Sequence, residues 1–221
     1  MADHTEDALI REVYDELREE QMRLLWQRYG GLVVGAAILL VVVVAGYQAW
    51  RQYDVSNRMA EGERFHAAMT LADTGDVTGA KAALAALTSD ASSGYGLLAE
   101  FKQAALLADG GDAAGAAALY QKIARDAAGN APLSGLAGIL GALIEINAGG
   151  YDPKSMEFRL STLADDTHPY RHTARELLAL VALDAGETDK ARGLFETLSA
   201  DAQAPAGLRE RAQKLLQQIG G

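Results

Sequence analysis

From residue 30 to residue 50 the chain reads GGLVVGAAILLVVVVAGYQAW, 21 positions without one charge. On either side, apolar residues recur at helical spacing instead. Before the run, Leu9, Val13, Leu17 and Leu24 form a stripe widened by Ile10, Tyr14 and Leu25. That period predicts an amphipathic helix over 6–29. Thr5 is placed to cap it, and Glu6 and Asp7 suit the positive end of its dipole. Asp7–Arg11 and Glu19–Arg23 add acid-first pairs one turn apart. Beyond Tyr53 the apolar stripes become Ala- and Leu-rich and are broken at intervals by Gly followed by an acid.

Those breaks repeat. LADTGDVTGAKAALAAL (71–87), LADGGDAAGAAALYQKI (107–123) and LDAGETDKARGLFETL (183–198) align without a gap. In each, Gly75, Gly111 or Gly186 precedes an acid, and Ala80, Ala116 or Ala191 follows five residues after the glycine. Leu84, Tyr120 or Phe195 stands nine residues after it, and Leu87, Ile123 or Leu198 twelve. A fourth copy, INAGGYDPKSMEFRLSTL (146–163), fits with one residue inserted near Tyr151, so the turns recur about every 36 to 40 residues. Glycine ends a helix because it tolerates the left-handed backbone of the C-terminal cap. The acid after it starts the next helix by capping or through the dipole. Asp152-Pro153 follows the same rule, with Asp as cap and Pro at the first helical position. The small alanine permits close approach of two helices, and the larger residues after it fill the space between hairpins. The pattern resembles the tetratricopeptide repeat, a helical hairpin of about 34 residues. The predicted fold is all-α: an N-terminal helix, one transmembrane helix, then an α-solenoid of such hairpins. Its first helices fall near 94–109, 132–148 and 169–185.

The uncharged run is long enough to cross a bilayer, since 21 helical residues rise roughly 31 Å. Trp26, Arg28 and Tyr29 precede it and Tyr47, Trp50 and Arg51 close it, the aromatic and cationic residues that two membrane interfaces select. A cleaved signal peptide with its site near Ala45 is the competing reading, but the segment before the run is long and net acidic, where a signal peptide has a short basic one. The expected division is therefore a tail over 1–29, an anchor over 30–50 and a repeat domain over 51–221. Arg18, Arg23 and Arg28 on one side balance Arg51, Arg58 and Arg64 on the other, so charge leaves the orientation open.

Composition then narrows the function. The net charge of −10 divides into −4 over residues 1–28 and −6 over residues 51–221, which argues against a nucleic-acid binder. An acidic tail also suits a protein partner, or a solvated lead-in, better than anionic lipid. With no cysteine, thiol catalysis, disulfides and Cys-ligated metals drop out.

Little catalytic chemistry is visible, and the expectation is a non-enzyme with no cofactor. His168-Pro-Tyr-Arg-His172 sets two histidines four apart, a metal-ligand spacing on a helix, but Pro169 is expected to open that helix, which leaves an exposed His and no third ligand. Asp165-Asp166 reads as loop charge rather than an acid/base pair. Gly110-Gly111-Asp112 lacks the Lys-Ser/Thr of a phosphate loop. Ser92-Ser93 reads as a helix lead-in. Binding is expected along the first helices, where Tyr95, Phe101, Lys102, Tyr170 and Arg175 are the larger side chains. Tyr95 and Phe101 can equally pack between hairpins, and Lys102 and Arg175 can be solvated charges.

Taken whole, REVYDELREEQMRLLWQRYG (11–30), the anchor after it, ARELLALVALDAGETDKARGLFETL (174–198) and APAGLRERAQKLL (204–216) resemble a bacterial family of single-span, tetratricopeptide-like ancillary subunits of the Sec translocon. The resemblance implies an inner-membrane protein with a cytoplasmic N-terminal tail and a periplasmic repeat domain. It implies as partners the translocon and a membrane-anchored periplasmic prolyl isomerase or chaperone, in the biogenesis of secreted and outer-membrane proteins. The alternatives are an anchored adaptor with cytoplasmic repeats, and an enzyme or regulator domain secreted after cleavage near Ala45.

Overall fold

A computed structural model describes residues 3–91 and 94–220, with side chains from Met22 onward. Ser92 and Ser93 lie outside the described residues, as do the side chains of the tail stripe before Met22. Among the described residues nine helices occur and no strand: α1 (Asp3–Asp73), α2 (Val77–Asp90), α3 (Gly94–Asp109), α4 (Ala113–Asp126), α5 (Ala131–Ala148), α6 (Pro153–Leu163), α7 (Arg171–Asp184), α8 (Thr188–Ala200) and α9 (Ala206–Ile219). The chain divides into two compact units, residues 1–59 and 60–221.

In the first unit the expected tail helix and apolar helix are one element. Nothing in the sequence between them breaks a helix, because Gly30 and Gly31 lower helical propensity without disrupting the hydrogen-bond ladder. Thr5 is already inside α1 and so is not its cap. Leu32 to Val44 carry their apolar side chains largely exposed.

The second unit is the helical stack. The end of α1 pairs with α2, α3 with α4, α5 with α6 and α7 with α8, and α9 closes the last hairpin against α7 and α8. Three of its turns share one construction. Gly75, Gly111 and Gly186 have φ of 88°, 83° and 78°. The acid after each donates its backbone N–H to a carbonyl five residues back: Asp76 to Leu71, Asp112 to Leu107 and Glu187 to Ala182. This is the Schellman closure of one helix. Asp76 and Asp112 then accept from the N–H of Gly79 and Gly115 with their side chains, which starts the next helix. Glu187 has no such bond; its longer side chain pairs with Lys190 instead.

The repeated apolar positions are the core. Ala80, Ala116 and Ala191 are 0% exposed, and Leu84, Leu87, Ile123, Phe195 and Leu198 are buried within 1%. Burying each of the larger side chains contributes about 1.5–3 kcal/mol. In the third hairpin Met156 takes the alanine position and is equally buried, and α5 answers the larger side chain with Ala142. Asp152 caps α6 through Ser155 N–H with Pro153 behind it, as the sequence predicts.

Two local expectations fail at the start of α7. Pro169 does not open the helix: α7 begins at Arg171, with Tyr170 in the cap position, and His168 Nδ1 accepts from Tyr170 N–H at 3.2 Å. Nor is either histidine fully exposed: His168 is half-buried, and His172, in the first turn of α7, is 7% exposed.

Candidate binding face on the first helices

Successive first helices touch one another, α5 with α7 and α7 with α9, so one side of the stack is built from them. A first helix, α3, leaves Leu98 50% exposed. The α5–α7–α9 side leaves Leu143 38% exposed. Between α5, α7 and α9 it deepens into a hollow of about 390 Å³, with Ile139, Leu143, Leu177, Leu180 and Leu215 as apolar wall. α5 can supply this face because it is apolar nearly all round: it reads APLSGLAGILGALIEINA, with one charge in 18 residues. A helix of that composition belongs against other protein on several sides.

One ion pair edges the hollow. Arg211 donates through Nε and Nη2 to the two carboxylate oxygens of Glu176, at 2.7 and 2.9 Å. Glu176 is only 8% exposed, and the paired geometry satisfies its carboxylate as burial requires. The pair spans 35 residues, about one repeat, and no local spacing marks it. Leu143 was equally invisible to motif reasoning; the one signal for it was the excess of leucine and isoleucine on α5.

The five side chains expected to meet partners fall in two groups. Tyr95, Phe101 and Tyr170 face neighbours within the stack: Tyr95 tilts on Phe65 with ring centres 6.0 Å apart, Phe101 on Tyr120 at 6.0 Å and Tyr170 on His168 at 6.1 Å. Arg175 donates to the Ala164 carbonyl at 3.0 Å and to the Asp166 carboxylate, tying down the α6–α7 loop. Lys102, half-buried on α3, has no ion pair among the described residues. The residues read as membrane-facing all lie on α1: Trp26, Tyr29, Tyr47 and Trp50 are 63%, 46%, 59% and 65% exposed. Arg28 and Arg51 are exposed beside them, with the Arg28 guanidinium 5.7 Å from the Tyr29 ring centre.

The polar motifs hold turns. Asp165 accepts from both the N–H and the hydroxyl of Thr167, bonds that hold its carboxyl below the usual range. His172 Nδ1 stands 3.4 Å from Asp201 Oδ2, but off hydrogen-bonding geometry, so both ring nitrogens lack a partner. Burial, helped by Arg171 and Arg175 and opposed by Asp201, pushes its pKa down. Across the stack, Glu145 accepts from Gln121 at 2.8 Å and from both Arg159 nitrogens at 2.8 and 2.5 Å. Burial raises the Glu145 carboxyl, but these bonds outweigh it and hold it below its ordinary value. Among the described residues no three His, Asp or Glu side chains gather as a metal site would need.

A family model described as a tetratricopeptide repeat-like domain matches residues 23–217. No significant match occurs among curated proteins or among solved structures.

Proposed function

The chain belongs to the tetratricopeptide repeat-like domain family, and on that premise we propose that it is a non-enzymatic, membrane-anchored scaffold that holds partner proteins against the first helices of its repeats. The observation that carries this is the leucine-lined hollow between α5, α7 and α9, with Leu143 exposed in its wall; Leu98 is the exposed leucine of the first helix α3. Solenoids of this kind bind extended or helical segments on such faces.

The anchor is residues 30–50, with residues 1–29 cytoplasmic and residues 51–221 periplasmic in a bacterial inner membrane. Exposed rings at Trp26 and Tyr29, and again at Tyr47 and Trp50, flank the uncharged run and support this reading. The orientation rests on the sequence resemblance, because the flanking arginines are balanced. So do the partners: the Sec translocon, and a membrane-anchored periplasmic prolyl isomerase or chaperone that receives secreted and outer-membrane proteins.

Two measurements test the proposal. In this cysteine-free chain, Glu196→Cys on exposed α8 surface is expected to react with a membrane-impermeant maleimide while the inner membrane is intact. Reaction only after lysis overturns the periplasmic assignment. Photo-crosslinkers at Leu98 and Leu143 are expected to trap a translocon subunit or the isomerase, and adducts to neither from either position overturn the role.

A further inference from the structure

The third hairpin carries a second site, lined by other residues. Between α4 and α6, over α5, lies a groove of about 310 Å³. Gly138 and Ala142 line it from α5, and Phe158 and Leu163 from α6. Phe158 is 76% exposed, more than any other large apolar side chain between residues 60 and 220 among those described. Its exposure has a local cause. On α6 the core positions are Met156 and Leu160, both fully buried; Phe158, two residues from each, points away from them. An aromatic ring left in water forgoes the burial that such a side chain usually gains.

The charge at this groove departs from its surroundings. In a domain whose net charge is −6, its lining holds two arginines, Arg125 and Arg159, and no carboxylate. Arg159 is bound to Glu145 through its terminal nitrogens, and its Nε is buried without an acceptor. Arg125, exposed in the last turn of α4, has no ion pair among the described residues. Gln121 also lines a second hollow of about 320 Å³, walled by Ala114 and Ala117, by the Gly149-Gly150 turn and by Glu145, the acceptor of Arg159. A groove running between two helices, with the small residues Gly138 and Ala142 along one wall, suits an extended chain better than a compact ligand.

We infer that this groove docks an extended peptide segment of a partner protein, with an apolar side chain seated against Phe158 and an adjacent carboxylate paired with Arg125. Arg159 is already paired with Glu145, so Arg125 selects the segment: a basic one meets it with like charge, an acidic one with opposite charge. The site is separate from the first-helix face and stands or falls independently of it.

The test uses the full-length chain in lipid nanodiscs and two fluorescein-labelled peptides, Gly-Ser-Glu-Leu-Phe-Glu-Ser-Gly and the same peptide with Lys in place of each Glu. Fluorescence anisotropy is expected to show the Glu peptide binding at least about tenfold more tightly than the Lys peptide. Arg125→Glu is expected to remove that preference, and Phe158→Ala to weaken the Glu peptide by about tenfold. Leu143→Asp, on the first-helix face, is expected to leave both values unchanged. Equal binding of the two peptides overturns the inference. So does loss of binding in Leu143→Asp with Arg125→Glu and Phe158→Ala unaffected, which moves the peptide to the first-helix face.

Discussion

At Gly111 the backbone turns through φ 83° with nothing within 4 Å of where a Cβ would stand, so only backbone strain opposes a side chain there. Gly111→Ala is therefore expected to cost about 1–2 kcal/mol, and Gly111→Asn less, because asparagine tolerates the left-handed region. Next along the chain, Asp112→Ala removes a cap bond of 2.9 Å to Gly115 and is expected to cost about 1 kcal/mol. Glu187→Ala, at the equivalent turn, removes no cap bond and only an exposed pair with Lys190, so its cost is expected to stay below about 0.5 kcal/mol. Urea denaturation of the four variants checks the order, and an equal cost at Asp112 and Glu187 contradicts the capping account. His172 acts through pH instead. Its imidazole is held below its ordinary value in the folded chain, while the unfolded chain takes up a proton near pH 6.5. Stability that is complete above about pH 6.5 thus falls as the pH drops towards the depressed folded value. His172→Gln is expected to flatten the fall in Tm between about pH 7 and pH 5, and parallel profiles for the two proteins would sink this assignment.

Helices of neighbouring hairpins are tied by polar contacts that recur about one repeat apart. Tyr151 donates to Asp184 across 33 residues, Lys190 to Glu157 across 33, Arg171 to Gln203 across 32 and Arg211 to Glu176 across 35. They join the third hairpin to the fourth and the fourth to α9. Burial, with the hydrogen bond to Asp184, pushes the Tyr151 hydroxyl up to about 12, so that contact keeps its proton throughout the neutral range. Arg211→Met leaves the Glu176 carboxylate buried without its partner, but Arg211 is itself exposed, which limits the expected cost to about 1–2 kcal/mol. In a stack where each hairpin meets only its neighbours, that loss stays local. Hydrogen exchange is expected to quicken in α7, α8 and α9 and to stay unchanged in α2 to α4, and uniform loosening is the contrary result. These ties also mark what sequence can reveal. The turns at Gly75, Gly111 and Gly186 were legible because glycine, acid and the alanine that follows lie within one local motif. The pairing of Glu176 with Arg211 was not, because nothing local tells which of several acids an arginine one repeat away will meet. Arg175 shows the same limit from the other side: its spacing puts it on a first helix, yet the irregular loop before α7 brings Ala164 and Asp166 within its reach.

On the scale of the whole chain, the two units have opposite relations to water. Residues 60–221 bury their apolar side chains in four cores, none of which, among the described residues, draws a buried residue from before Ala68 or a flanking one from before Phe65. Residues 22–50 of α1 keep theirs exposed, from Met22 at 65% to Trp50 at 65%. A chain beginning at Ala60 therefore retains every core contact and sheds the surface that water disfavours. It is expected to stay monomeric without detergent and to unfold with a Tm close to that of the full-length protein in nanodiscs. A chain beginning at Asp76 is a different case. It lacks Phe65, Ala68, Leu71 and Ala72, which cover α2 and α3, and so uncovers Leu84 and Leu87, at about 1.5–3 kcal/mol for each side chain returned to water. Its expected behaviour is a lowered Tm with α2 unprotected from exchange, because the first hairpin has lost one of its two helices and end repeats have a neighbour on one side only. Equal stability of the two truncated chains contradicts the assignment of the end of α1 to the repeat stack. A full-length chain that remains monodisperse in buffer without detergent contradicts the anchor, since an uncharged run of 21 residues left in water has no partner but another copy of itself.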